Sequence, residues 1–135
     1  MTRDDILAVM LKITCLTDIG VVSPEYFNTP KYGDTMAERL AAFDKARHRL
    51  VEEPLGRYDD ICDWLAIKER TKTVNRKTPV YALRFLAERF VGTQVTDGEL
   101  IVAAVHLGFV FRLEGDGVRE PMTFYAGISN KSLRD

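Results

Sequence analysis

Residues Arg70 to Gly108 read RTKTVNRKTPVYALRFLAERFVGTQVTDGELIVAAVHLG, a basic loop followed by two helices whose starts are written into the chain. Thr78-Pro79 sets a capping side chain before a proline at the first helical position. Val80, Leu83, Leu86, Ala87 and Phe90 then recur at helical spacing, which leaves Arg84, Glu88 and Arg89 for the outer face. Gly92 closes that helix. Thr96 and Glu99 have capping-box spacing, and Leu100 to Leu107 is apolar nearly all round, broken only by His106. A helix without a polar face is a buried helix, so this one belongs at the centre of the fold, with His106 as a core histidine. Gly108 ends it with a left-handed cap.

Outward from this stretch the chain reads as mainly helical. Thr2 and Asp5 open a first helix with Ile6, Val9, Met10 and Ile13 on one face, and Gly20 ends the pattern. Residues 21–34 carry Ser23-Pro24, Asn28, Pro30 and Gly33 and form an ordered loop holding Tyr26, Phe27 and Tyr32. Thr35 and Glu38 cap a second helix with Met36, Leu40, Phe43 and Leu50 at helical spacing, stopped by Pro54 and Gly56. Asp59 and Asp60 place acid at the start of a third helix, where the dipole favours it, and Trp64 anchors that helix in the core. Residues 109–125 change period: Phe109, Phe111 and Leu113 alternate with Val110 and Arg112, Gly115-Asp116-Gly117 is a turn, and Val118 to Tyr125 returns. Pro121 confines the pairing to an edge, or to Met122–Tyr125. Ser129 to Asp135 reads as a short helix or a frayed tail. The fold class is α+β: one domain over residues 1–135, about five helices and one antiparallel β-hairpin near the C-terminus.

The 135 residues, 46% hydrophobic and 29% charged, are ordinary for a globular chain. Leu100 to Val105 is as long as any apolar run in the chain and far short of a bilayer span, so no membrane partner is expected. Met1-Thr-Arg-Asp-Asp5 puts acid where a secretory signal needs a basic and then apolar run, which reads as cytoplasmic. Cys15 and Cys62 read as buried free thiols, since two scattered cysteines and two histidines supply no zinc site. No metal and no cofactor is expected.

Net charge is −1, unevenly spread. Residues 1–66 carry 8 basic and 12 acidic side chains, a net −4; residues 67–135 carry 11 and 8, a net +3. Lys68 to Arg89 holds 7 basic against 2 acidic side chains, the one place where the chain gathers a single sign of charge. The basic loop, 69–78, is therefore the candidate surface for an anionic partner.

The order helix, turn, helix, hairpin from Pro79 to Tyr125 is similar to the second half of a winged-helix domain. That resemblance implies a second helix in the major groove and a hairpin wing. Here Glu99 to Leu107 offers only Glu99 and His106 as polar side chains, whereas base reading needs Arg, Lys, Asn, Gln or Ser on the outer face. Nucleic-acid contact then falls to Arg70, Lys72, Arg76, Lys77 and Arg84 as phosphate clamps, with Asn75 as the one amide able to read a base edge.

Catalytic constellations are absent from the sequence pattern. His48 and Glu52 stand at the i, i+4 spacing of a metal pair but lack further ligands, and read as a helix-surface pair. Asp59, Asp60 and Asp63 are an acidic cluster that capping and the dipole already explain. No G-x-S-x-G, Walker loop or dinucleotide fingerprint occurs. The expected function is a non-enzymatic binding protein, regulatory or accessory, engaging nucleic-acid phosphates through the basic loop and the following helix. The alternative is a protein–protein interaction module, an adaptor or inhibitor such as a phage or plasmid accessory protein. Its interface candidates are Tyr26, Phe27, Tyr32, Phe124 and Tyr125, because aromatics are enriched at interfaces. A solvated loop with nothing bound is the third reading of the same charge.

Overall fold

The computed structural model describes residues 1–134. Its centre is the helix α5, Asp97–His106, in which every residue from Gly98 to Val105 is buried. The elements in chain order are α1 (Arg3–Lys12), the short strands β1 (Leu16–Thr17) and β2 (Gly20–Val21), α2 (Met36–His48) and α3 (Arg57–Ala66). There follow α4 (Val80–Val91), α5, β3 (Phe111–Glu114), β4 (Thr123–Ala126) and α6 (Asn130–Arg134). α1, α3, α4 and β2 all pack against α5. This accounts for its lack of a polar face: Leu100, Ile101 and Val102 have no solvent to meet on any side. Burying each such side chain contributes about 1.5–3 kcal/mol.

The caps read at Thr2, Thr35 and Thr96 are present, but the one at Thr78 is not: α4 begins after Pro79 without a side-chain cap, because the Thr78 hydroxyl donates to Asn130 Oδ1 (3.1 Å) instead. Thr2 and Asp5 exchange both capping-box hydrogen bonds at the start of α1, and Thr96 and Glu99 do the same at α5. Glu99 has a second role. Its buried carboxylate also accepts from Arg57 Nε, and the Arg57 guanidinium goes on to donate to the carbonyls of Glu52 (2.8 Å) and Arg49 (3.0 Å). One ion pair thereby ties the start of α5 to the start of α3 and to the 3-10 turn Arg49–Val51 that follows α2.

The N-terminal third departs from expectation. α1 stops at Lys12, because Ile13 is extended and Cys15 takes a left-handed conformation (φ 64°) that turns the chain into the β1–β2 hairpin. That hairpin docks on the first turn of α5: Gly98 N–H donates to Asp18 O at 3.0 Å. Gly98 admits this approach only because it has no side chain. A Cβ placed there would overlap the Thr17 carbonyl oxygen and Asp18 Cα.

Residues 21–34 hold two 3-10 turns, Pro24–Phe27 and Pro30–Tyr32, and a small second core. Phe27 packs between Tyr32 (ring centroids 4.7 Å), Tyr26 (5.4 Å) and Phe43 (5.8 Å), above Val22 and Ala46. α2 faces this satellite, not the main core. Met36 and Leu40 are therefore exposed, contrary to their helical spacing with Phe43, and Leu50 reaches the main core from the 3-10 turn beyond the helix.

The C-terminal hairpin pairs Phe111 with Ala126 and Glu114 with Thr123. Its return strand begins at Thr123 and not at Val118. Pro121 lacks a donor, and the stretch before Thr123 bonds instead to the first hairpin, through Ser23 N–H to Gly117 O (2.9 Å) and Met122 N–H to Val21 O (3.0 Å). A sixth helix, α6, follows, with Leu133 buried. His106 is exposed at the end of α5 and is not a core histidine. The elements of the second half follow helix, turn, helix, hairpin. Yet α5 is enclosed from Gly98 to Val105, so it cannot enter a DNA groove as the corresponding winged-helix element does.

Two outcomes test this packing. Gly98→Ala should lower stability by about 2–3 kcal/mol, read as a drop in the urea midpoint, because neither Thr17 nor Asp18 backbone can yield cheaply. Asp18 gives a pH signature. Burial pushes its carboxyl above the ordinary range against the pull of Arg49, and Oδ1 has no hydrogen-bond partner. The folded state therefore favours the protonated acid, and this stabilisation is present at low pH and lost as pH rises through the folded value. Relative to Asp18→Asn, the wild type should gain stability as pH is lowered from about 7 to about 4, measured by urea denaturation at each pH.

Candidate nucleic-acid interface

The basic loop is closed and held in place. Thr71 N–H donates to Gly127 O (2.9 Å), Asn75 N–H to Ala126 O (2.9 Å), and Ser129 N–H to Glu69 O (2.9 Å), so residues 69–75 run along the chain that leaves β4. Gly127 lets the two segments close up. A Cβ there would lie 2.6 Å from Thr71 O and overlap Val110. Asn75 is the rivet. Its Nδ2 donates to Ile128 O (3.0 Å) and Asn130 Oδ1 (2.8 Å), while its Oδ1 accepts from Lys77 N–H (2.9 Å). Both amide protons are spent inside the fold, so Asn75 has no donor left for a base edge and keeps only the second lone pair of Oδ1.

The cations singled out in the sequence divide into two sets. Arg70 lies with its guanidinium 4.1 Å from the centre of the Phe109 ring. Arg76 pairs with Glu114 and sits 5.5 Å over Tyr125. Arg84 donates to Asp97 (2.7 Å) and Glu88 (3.3 Å) and covers Phe85 at 4.3 Å. Burial pushes the Asp97 carboxyl up, and the Arg84 charge opposes it. Lys72 and Lys77 are exposed, and no carboxylate among the described residues pairs with either. Arginine sits close to an intramolecular acid in two of the three cases, and the two lysines remain outward.

Lys77 belongs to a larger feature. Four adjoining depressions surround α6. One of about 290 Å³ lies between Trp64, Ile67, Phe90 and Leu133, and one of about 500 Å³ lies between Thr78, Leu86, Asn130 and Leu133. The other two, about 320 and 480 Å³, flank Ser129 from the side of Lys68 and of Asn75. Six basic side chains line them (Lys68, Arg76, Lys77, Arg89, Lys131 and Arg134), against one acid, Glu69, among the described residues. Lys68 is fixed by donating to Ser132 O (3.0 Å) and lies 5.4 Å from the centre of Trp64. Arg89, Lys131 and Arg134 were not candidates from the sequence. Arg89 was placed on the outer face of its helix, but only the docking of α6 beside α4 brings it close to Arg134. No periodicity within one segment reports that.

No protein-family model matches the chain, and no curated protein and no solved structure matches it.

The aromatic candidates also divide. Phe124 is fully buried and stacks on Phe111 at 5.5 Å, and Phe27 is 2% exposed, so neither offers a surface. Tyr26 and Tyr32 are half-buried within the satellite core, and Tyr125 is half-buried under Arg76. The exposed aromatic rings lie elsewhere, at Tyr81, Phe85 and Phe90 on α4. Sequence spacing had assigned Phe90 to the buried stripe. It stands at the edge of the groove because α4 meets the core through Val80, Leu83 and Ala87, with Leu86 and Val91 partly buried against it.

The residues weighed for chemistry are dispersed. His48 ends α2 while Glu52 follows the 3-10 turn, so the two do not share a helix. Asp59 accepts from the N-terminal amine at 2.7 Å. Cys15 and Cys62 are free and half-buried, and burial pushes the Cys62 thiol up, away from the reactive thiolate. Among the described residues no three His, Cys, Asp or Glu side chains lie close enough to share a metal ion, and no helix is long and apolar enough to cross a membrane.

The rivet is testable. Asn75→Ala removes three hydrogen bonds and should cost about 1–3 kcal/mol. Hydrogen exchange should speed up first at the Thr71 and Ser129 amides, before the amides of α5.

Proposed function

We propose that this protein is a non-enzymatic, accessory nucleic-acid-binding protein that engages phosphates through the cationic rim around α6. The observation that carries the reading is the lining of the four depressions, with six basic side chains from the segment after α3, the loop, α4 and α6 against one acid among the described residues. A chain of net charge −1 has no general attraction for a polyanion. Local accumulation on a rigid frame is therefore what a specific phosphate track requires. The track differs from the loop alone. Lys77 and Arg76 connect it to the basic loop, while Arg84 serves the packing of α4 on α5.

Lysine and arginine act here as charge clamps. Each phosphate neutralised displaces a condensed counterion, so affinity falls with salt in proportion to the number of contacts. A protein-docking reading draws on a different face, where Leu7 and Leu11 stand one turn apart on α1 with Leu11 83% exposed.

Fluorescence anisotropy with a short labelled oligonucleotide at about 50 mM and about 200 mM salt tests the proposal. Binding should weaken steeply between the two concentrations. The triple variant Lys77→Gln, Arg89→Gln, Arg134→Gln should lower the slope of log affinity against log salt by about 2. Absence of binding at the lower salt would overturn the reading and turn attention to the Leu7–Leu11 face.

A further inference from the structure

The outer face of α4 carries an arrangement that packing leaves unexplained. Tyr81 and Phe85 stand one helical turn apart, 58% and 54% exposed, and Arg89 follows one turn beyond. The three form a single stripe along the helix, and its last member lines the groove beside α6. Among the described residues no other element overlies this stripe. Phe85 is also held in place. The Arg84 guanidinium lies 4.3 Å from its ring centre, and Arg84 is itself fixed by Asp97 at 2.7 Å and Glu88 at 3.3 Å. The ring is thus oriented before any ligand arrives, with half its surface still in solvent.

We propose that Tyr81 and Phe85 form a stacking platform for unpaired bases, so that the ligand is single-stranded nucleic acid, its backbone passing from this stripe into the cationic groove at Arg89. The inference rests on the phosphate-binding reading and adds the state of the strand. Base faces are available for stacking on a protein ring only when they are not enclosed between neighbouring base pairs. A duplex has its base faces covered and offers only its phosphates and groove edges. The two rings are separated along the axis by about 6 Å. Successive bases of a stretched single strand can bridge that distance, whereas duplex stacking holds them at about 3.4 Å.

The cations select this occupant over a protein. Two half-exposed rings offer roughly 200 Å² together, well short of the roughly 800 Å² per partner in a stable protein interface. The charge beside them, Arg89 joined by Lys77 and Arg134 across the groove, complements a polyanion. It would repel a second copy of the same face.

The test is anisotropy with labelled oligo(dT) and a blunt hairpin duplex of the same length, at low salt, on the full chain. The variants are Tyr81→Ala/Phe85→Ala and, to keep apolar area and helix propensity, Tyr81→Leu/Phe85→Leu. Thermal melts establish that each is folded. Wild type should bind oligo(dT) at least tenfold more tightly than the duplex. Both aromatic variants should lose at least tenfold on oligo(dT), with duplex affinity and the salt slope unchanged. Wild-type oligo(dT) affinity in both variants would overturn the stacking platform and leave the phosphate reading standing. A loss in the alanine variant alone would overturn stacking in favour of apolar contact. Failure of wild type to bind either nucleic acid would overturn both proposals.

Discussion

The ion pair between Arg57 and Glu99 is the joint on which the rest of the molecule hangs. Glu99 is a buried carboxylate at the first turn of the central helix, and it accepts from both its own cap residue and Arg57. Arg57 uses its remaining donors on carbonyls of the segment between α2 and α3. A buried charge is tolerable only when paired and hydrogen-bonded, and removing one partner of such a pair costs about 3–5 kcal/mol. The geometry of three helix ends is therefore set at one point. With α5 oriented, α1, α3 and α4 close around it, and the β1–β2 hairpin seats itself against Gly98.

That frame also sets where the proposed binding surface lies. α5 is enclosed from Gly98 to Val105, so that stretch contributes position and no contact. α4 is the next layer, buried through Val80, Leu83 and Ala87, and it turns the rest of its circumference outward. α6 lies beside it, and cations from four separate parts of the chain meet along the seam. Arg84, although basic and near this seam, holds α4 to the start of α5 through Asp97. The same side chain supports Phe85. One guanidinium thus serves both the packing of α4 and the proposed stacking platform.

Local rules were readable where one segment determines the outcome. The buried character of α5 follows from its missing polar face, and the caps at Thr2 and Thr96 follow from side-chain reach. The α+β class follows from the change of period at Phe109. Rules failed where a distant segment intervened. Met36 and Leu40 share helical spacing with Phe43, but α2 meets a satellite core instead of the main one. The β1–β2 hairpin escaped notice because two-residue strands carry no alternation, and its stability comes from α5 beneath it. The basic loop was visible as charge, but its internal pairings were not. Arg76 finds Glu114 and Asn75 finds Asn130 across 38 and 55 residues. Arg89 joining Arg134 is likewise a product of docking, which no window of sequence contains.

The riveting of Asn75 to Ile128 and Asn130 has a consequence for when this surface comes into being. A chain emerges from the ribosome in order, and the loop is synthesised more than fifty residues ahead of the segment that closes it. Until residues 126–134 have emerged and docked, Lys77 and Arg89 have no facing wall, and the loop is a solvated strand. The helical core can condense earlier around α5, since its partners α1, α3 and α4 precede it. The cationic seam therefore exists only once residues 126–134 have been made, so on the proposed phosphate-binding reading its charge track is incomplete while the loop alone has emerged.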